Sequence, residues 1–189
     1  GIPPAGSAEE EINMEPSVYN IEETTLPLYI QQTVKEGCCP ALLPCALCSS
    51  EGSLLVSPRT EGLIRLDQLL SKPSDRILSG YKELLCAVQG ILQAAICCRS
   101  WFIPDRFISL QAEDIYFAKD RTCARVLLKP QQETFENRLL QLLEDLAGQC
   151  PQTDAPVLLE RLREQGPSLL SDHGQLHRAC GRWAEELRR

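Results

Sequence analysis

Apolar residues in the middle of the chain recur every three or four positions over about six turns. From Asp75 onward this stripe comprises Ile77, Leu78, Tyr81, Leu84, Leu85, Val88, Leu92, Ala95 and Ile96. A period of 3.6 residues is that of an α-helix with one buried face. The pattern therefore predicts a core helix from about residue 75 to 99. Pro104 is predicted to stop any helix that continues through Trp101 and Phe102, because proline lacks the backbone donor that a helix interior needs.

The first third of the chain alternates between strand and helix patterns. "SVYNIEE" predicts a first strand, and "LPLYIQQTVKEG" predicts a short helix with Gly37 at its C-cap. In residues 41–60, two apolar runs flank a polar turn at 49–52, which is typical of a β-hairpin. "GLIRLDQLLSKP" places Leu63, Leu66 and Leu70 at helical spacing and predicts a helix ended by Pro73.

The remainder predicts two more strands and then helices. "RFISLQ" and "DIYFAKDRTCARVLL" alternate as strands do, with a polar turn at residues 119–122. Helices are predicted over residues 132–148, 154–165 and 174–188, the first two ending at Gly148 and Gly166. The whole pattern indicates an α+β fold.

The order of these segments carries a family resemblance. "PALLPCALCSSEGSLLVS", "GYKELLCAVQGILQAAICCRSWFIPDRFISL", "EDIYFAKDRTCARVLLKP" and "FENRLLQLLEDL" follow one another as hairpin, helix with loop, second hairpin and helix. This arrangement resembles the reduced, kinase-like N-terminal domain of bacterial FHA-domain proteins. It is more distantly similar to the pseudokinase domain of the EssB/YukC component of type VII secretion. The resemblance covers roughly residues 17–165 and implies a small β-hairpin lobe packed on a larger, mainly helical lobe with a second hairpin.

The expected organisation is a single kinase-like domain with two additions. A chain of 189 residues has the length of one domain. We expect a vector-derived leader over residues 1–13, with Met14 as the native start, and the domain itself over 14–170. Its small lobe would span about 17–60 and its helical lobe about 61–170, with a C-terminal helix over 171–189. In the resembling proteins, a linker, a membrane span or an FHA domain often follows such a module.

The residues that catalyse phosphoryl transfer in kinases are missing from these segments. That chemistry needs a glycine-rich loop over the phosphates, a catalytic-loop Asp followed by Asn, and a metal-binding Asp-Phe-Gly. Gly52 is the only glycine of the first hairpin, and Asp105 stands before Arg106, in reversed order and without the Asn. Asp120 lacks a following glycine. We interpret Asp105 and Asp120 as a loop and a turn residue, and expect no enzymatic activity.

Charge and cysteine content exclude some classes of function. The formal charge is -7, and residues 1–24 contribute six Glu without any Lys or Arg. No basic cluster for nucleic acid is present, and no apolar run reaches the roughly 18 to 20 residues of a membrane span. Ten cysteines without an export signal indicate reduced thiols, many of them in apolar periodic segments. We therefore expect a cytoplasmic protein.

Two groups of residues have the composition of metal ligands. Cys45 and Cys48 have the C-x2-C spacing of zinc sites, but no second pair lies nearby, and on a strand they would point to opposite faces. His173, His177 and Cys180 stand at i, i+4 and i+7, yet Gly174 predicts His173 at or before the helix start. We interpret the two histidines as a solvent-facing pair, and expect no bound metal and no cofactor.

The last helix carries an amphipathic stripe. Its apolar residues are Leu176, Ala179, Cys180, Trp183 and Leu187, rimmed by Arg178, Arg182, Arg188 and Arg189. Two interpretations remain open, because such a stripe either packs onto its own domain or binds a partner. Trp183, Leu176, Leu187 and Arg182 are the candidate interaction residues.

These observations favour a non-catalytic, kinase-like interaction or regulatory module of a bacterial signalling or secretion-associated protein. It would bind a protein partner through the groove between its lobes or through its terminal helices. We expect neither nucleic-acid nor membrane contact from this segment. The alternative is a small-molecule or nucleotide sensor that has kept a pocket between the lobes. A third, weaker interpretation is a divergent enzyme.

Overall fold

A computed structural model describes residues 18–71, 79–119 and 123–187. The predicted leader, Met14, Pro73, Asp120, Arg188 and Arg189 lie outside these ranges. Within them the fold is α+β, as predicted, with two three-stranded antiparallel sheets among the helices.

The first sheet contains the predicted strand and hairpin. Strands β1 (Tyr19–Glu22), β2 (Cys45–Ser50) and β3 (Ser53–Pro58) are ordered β1-β3-β2. Glu51 and Gly52 both have positive φ, at 49° and 83°, which is typical of the tight turn that joins two antiparallel strands. Helix α1 (Leu28–Glu36) lies between β1 and β2 in the chain. It ends as predicted, with Gly37 in the left-handed conformation at φ 64°.

The second sheet corrects one prediction. It joins β4 (Ile64–Arg65), β5 (Ile115–Phe117) and β6 (Ala124–Val126) in that order. The prediction of a helix from residue 62 was wrong for its first residues, because Ile64 and Arg65 pair with β5; helix α2 spans only Leu66–Ser71. Strand pairing with a segment distant in the sequence outweighed the local helical spacing. The hairpin of β5 and β6 is confirmed, although residues 120–122 of its turn lie outside the described ranges.

The predicted strand "RFISLQ" was also wrong. Asp105–Phe107 and Ala112–Asp114 form short 3-10 helices, and between them Ile108 makes only an isolated bridge with Leu128. The backbone of this loop bonds the chain that follows β6: the Ser109 N–H donates to the Leu127 carbonyl at 2.9 Å. The apolar residues of this segment are buried although the segment is a loop. The spacing of apolar residues alone does not distinguish a strand from a buried loop.

The helices follow the prediction closely, with shifted ends. Helix α3 spans Ser79–Ser100, and its predicted start near residue 75 lies outside the described ranges. Helix α4 spans Phe135–Gln149, later than predicted, because the Thr134 side chain caps it by accepting from the Asn137 N–H and because Gly148 stays helical. The chain ends with α5 (Ala155–Gln165), α6 (Pro167–Leu170) and α7 (His173–Glu186).

Helix α3 lies at the centre of one cluster of buried residues. The predicted stripe is confirmed at Leu84, Leu85, Val88, Leu92 and Ala95, all at most 1% exposed. The same cluster includes residues of the first sheet, of β5 and β6, and of α4, α5 and α7. A parallel bridge between Leu42 and Val126 ties the segment before β2 to the second sheet. The end of α3 and the start of α7 lie close to the loop that contains Asp105, since Arg99 and His173 both contact its carboxylate.

Candidate functional site

Asp105 stands where the predicted kinase resemblance would place the catalytic loop. Both oxygens of its carboxylate take part in hydrogen bonds. It lies in the 3-10 turn Asp105–Phe107, after Pro104. Arg99 donates to both carboxylate oxygens, from Nη2 at 2.5 Å and from Nε at 3.2 Å. His173 Nε2 lies 2.9 Å from Oδ2. Burial raises the pKa of Asp105, but the hydrogen bonds from His173 and Arg99 together hold that pKa below its ordinary value.

The predicted exposure of the histidine pair was wrong for His173. This residue is the first of α7, as its neighbour Gly174 predicted, but it is only 2% exposed and lies against the Phe135 ring, with centroids 4.1 Å apart. Because Nε2 faces a carboxylate, we assign its proton there. Nδ1 is then a buried acceptor with no hydrogen-bond partner. His177 is partly exposed and does not join this cluster.

Arg138 holds the backbone of the Asp105 loop. Its guanidinium donates to three carbonyls: those of Asp105 at 2.8 Å, Ile108 at 2.6 Å and Glu133 at 3.1 Å. Arg138 is only 9% exposed, on the face of α4 that also buries Phe135 and Leu139. The sequence signal for this contact was a charged residue at a position of α4 where the helical period places apolar residues, and it was not predicted.

The metal-ligand candidates do not come together. Cys45 is buried and Cys48 is exposed, so they point to opposite faces of β2 as predicted. Cys180 is buried, and burial raises its pKa to about 12. In residues 18–71, 79–119 and 123–187, no group of three His, Cys, Asp or Glu side chains could hold a metal ion.

The apolar stripe of α7 faces its own domain. Leu176 is fully buried, and helix α7 packs along α3, where Gln89 Nε2 donates to the His177 carbonyl at 3.1 Å. Trp183 is partly buried against the core, with the Arg161 guanidinium 4.8 Å from its ring centroid. Leu187 is partly buried and Arg182 is exposed. Most of the stripe is therefore occupied within the chain.

A different surface exposes large apolar side chains. Leu28 and Tyr29 at the start of α1 are 78% and 50% exposed, and Trp101 and Phe102 after α3 are 40% and 79% exposed. The Tyr29 hydroxyl donates to the Phe102 carbonyl at 2.7 Å and joins the two pairs. We call these four residues the aromatic patch. In the sequence, Trp101 and Phe102 indicated only the end of a helix before Pro104.

Phe102 occupies a backbone conformation that usually belongs to glycine. Its φ is 59°, and it directly follows the end of a helix. Two of the last carbonyls of that helix accept backbone hydrogen bonds: the Phe102 N–H donates to the Arg99 carbonyl and the Ile103 N–H donates to the Cys98 carbonyl, both at 2.9 Å. Glycine favours this position in the helix-ending motif. A residue with a Cβ costs about 1–2 kcal/mol there, and the exposed ring recovers little of this by burial.

Comparisons with protein-family models, curated proteins and solved structures find no match for this chain. Among the described residues, no helix combines the length and apolar character needed to cross a membrane.

The lowered pKa of Asp105 predicts a particular response to acid. A carboxylate with a depressed pKa stabilises the fold above its ordinary value of about 4, and this contribution disappears as the pH falls through the lowered pKa. We therefore expect the free energy of unfolding of the wild type to exceed that of Asp105→Asn at pH 6. The difference should shrink as the pH falls below about 4.

Urea denaturation of both proteins from pH 7 to pH 3 measures this difference. Other acidic groups, including Asp114 whose pKa burial raises, act in both proteins and so cancel in the comparison. A difference that stays constant over this range would contradict the ionic role of Asp105.

Proposed function

We propose that this chain is a non-catalytic, kinase-like interaction module of a bacterial signalling or secretion-associated protein, and that it binds a partner protein through the aromatic patch. The observation that carries the proposal is Phe102. The backbone of Phe102 is strained, and its bulky side chain is exposed to solvent next to three other exposed apolar side chains. Backbone strain of this kind clusters at functional sites.

The state of Asp105 supports the non-catalytic part. A catalytic-loop Asp must accept a proton from the attacking hydroxyl. Here both carboxylate oxygens already accept hydrogen bonds from Arg99 and His173. The glycine-rich loop and the metal-binding motif are missing from the sequence as well.

The composition of the aromatic patch supports a protein partner. Aromatic residues are enriched in the central contacts of protein interfaces, where a few such side chains supply most of the binding energy. Four side chains cover only part of the roughly 800 Å² that each partner buries in a stable complex. The patch would therefore be the centre of a larger interface.

The charge of the chain favours a different protein over a second copy. The chain is acidic, and outside the predicted leader Glu15, Glu22 and Glu23 stand shortly before the helix that carries Leu28 and Tyr29. Two copies of the chain would repel each other because both are acidic, and an anionic membrane would repel the chain for the same reason. The partner that fits is a protein with an apolar segment flanked by basic residues.

The test replaces Phe102 with a photo-crosslinking phenylalanine analogue in cells of the source organism. We expect one protein to be crosslinked from position 102 and not from position 157, since Val157 is also exposed, at 51%, but lies on α5. Crosslinking to a second copy or to lipid, or equal capture from both positions, would overturn the proposal.

Binding of the purified partner then gives the decisive measurement. We expect Phe102→Gly to weaken binding at least about thirtyfold, while it stabilises the free protein by about 1 kcal/mol because glycine accepts the positive φ. Val157→Ala is the control and should leave affinity unchanged. Unchanged affinity of Phe102→Gly would contradict the proposal, and the gain in stability excludes misfolding as the cause of a loss.

A further inference from the structure

Two buried thiols face each other between the end of α1 and the end of α3. Cys39 follows Gly37, the C-cap of α1, and Cys98 lies in the last turn of α3. Their sulfur atoms are 4.0 Å apart, although 59 residues separate them in the chain. Cys39 is 4% exposed and Cys98 is fully buried. A small rearrangement would bring the two sulfur atoms to the roughly 2 Å of a disulfide.

The two thiols have opposite acid–base character. The hydrogen bond from Cys98 outweighs the effect of burial and lowers the pKa of Cys39, with help from the backbone at Ala41. The same hydrogen bond, together with burial, raises the pKa of Cys98. Cys39 is thus the thiol that loses its proton more readily and Cys98 the one that keeps it, as in pairs where one cysteine reacts and the other resolves.

A small cavity gives access to Cys39. Its volume is about 170 Å³, and it is lined by Thr33, Val34, Cys39, Pro40, Leu43 and Arg125. This is below the roughly 300 Å³ at which pockets for drug-sized ligands begin. A small reagent such as hydrogen peroxide would fit, and Arg125 lines the same cavity.

We propose that Cys39 and Cys98 form a reversible dithiol–disulfide pair that hydroperoxides oxidise. The Cys39 thiolate attacks one peroxide oxygen, the O–O bond breaks, and an S–O bond forms. The leaving alkoxide or hydroxide takes up, through solvent, the proton that Cys39 released when it ionised. The peroxide gains two electrons and Cys39 becomes a sulfenic acid.

The second step closes the disulfide. Cys98 attacks the Cys39 sulfur, its proton passes to the departing hydroxide, and water leaves as the S–S bond forms. In sum, two thiols and one hydroperoxide give one disulfide, one alcohol or water, and one further water. A thiol reductant reverses the change by exchange.

Oxidation would pull together the two elements that carry the aromatic patch. Leu28 and Tyr29 lie on α1, and Trp101 and Phe102 directly follow α3. The disulfide therefore offers a means of changing the patch. The chemistry at Cys39 and Cys98 does not depend on the proposed function, and its test requires no partner.

The experiment treats the reduced full chain with hydrogen peroxide, blocks remaining thiols with N-ethylmaleimide, and maps the peptides by mass spectrometry. We expect loss of two hydrogen atoms and a disulfide-linked peptide pair containing Cys39 and Cys98. Cys39 should be consumed about tenfold faster than the exposed Cys48, although it is far less accessible. Faster loss of Cys48, a disulfide between other cysteines, or no disulfide would overturn the proposal.

Matched variants assign the roles. Cys97 is the adjacent control, partly buried and also near Cys39, and Cys97→Ser should still form the disulfide. Cys98→Ser should instead accumulate a Cys39 sulfenic acid that dimedone traps. Because Cys98 is fully buried, Cys98→Ala provides a second variant, and circular dichroism checks that both fold. A disulfide lost in Cys97→Ser and kept in Cys98→Ser would contradict the assignment.

Discussion

Arg138→Met should lower the free energy of unfolding by about 3 kcal/mol. Methionine keeps the apolar stem of the side chain but removes the three donors to the carbonyls of Asp105, Ile108 and Glu133. Ile108 is fully buried, so water cannot replace the lost donor at its carbonyl without opening the loop. Each buried acceptor left without a partner costs about 1–3 kcal/mol.

Arg163→Met is the matched control for this prediction. Arg163 lies on α5 and pairs with Glu144 at 2.8 Å, but the two side chains are 57% and 46% exposed. An exposed ion pair contributes little, so we expect a change below about 1 kcal/mol. Urea denaturation followed by circular dichroism measures both variants. Equal losses in the two variants would show that Arg138 does not anchor the loop as its contacts indicate.

Gly90→Ala should destabilise the protein by about 2 kcal/mol, although alanine is the better helix former. An added Cβ at Gly90 would lie 2.6 Å from Cε1 and 3.1 Å from Cζ of Phe117. The Phe117 ring on β5 is only 1% exposed and is enclosed by the core, so it cannot move aside freely. Crowding of a closely packed interior outweighs the gain in helix propensity.

A glycine-to-alanine substitution at a position where the added Cβ has space should instead raise the free energy of unfolding. Gly148 lies in α4, and no atom outside its own turns of that helix comes within 4 Å of a Cβ added there. Gly148→Ala should therefore stabilise the protein by about 0.5–1 kcal/mol. Thermal and urea unfolding of the two variants give the comparison, and Phe117→Leu added to Gly90→Ala should recover part of the loss. Destabilisation of similar size at both glycines would mean that helix α3 and β5 are not in close contact.

The sequence predicted helices and turns well where the local pattern of residues was the only influence on the structure. The stripe of Leu84, Val88 and Leu92 predicted the central helix, because a face that recurs every 3.6 residues must be buried. Gly37 and Gly52 predicted a helix end and a tight turn, since both positions have positive φ. These signals are local, and each is read from neighbouring residues.

The prediction failed where contacts between distant segments chose the structure. Ile64 became a strand residue because β5 lies beside it, and Ile108 belongs to a loop because its backbone bonds the chain near Leu128. His173 was predicted in solvent, but it is buried against Asp105, 68 residues earlier. No window of sequence contains both members of such a pair.

The sequence by itself determined the α+β class, the central helix, both hairpins, and the absence of the kinase catalytic motifs from its residues. Only the tertiary structure decided which groups meet: His173 and Asp105, Cys39 and Cys98, and the Tyr29 hydroxyl and the Phe102 carbonyl. The physical reason is range. Helix period, caps and turns depend on residues a few positions apart, whereas the candidate sites depend on the way α1, α3 and α7 pack around a shared core.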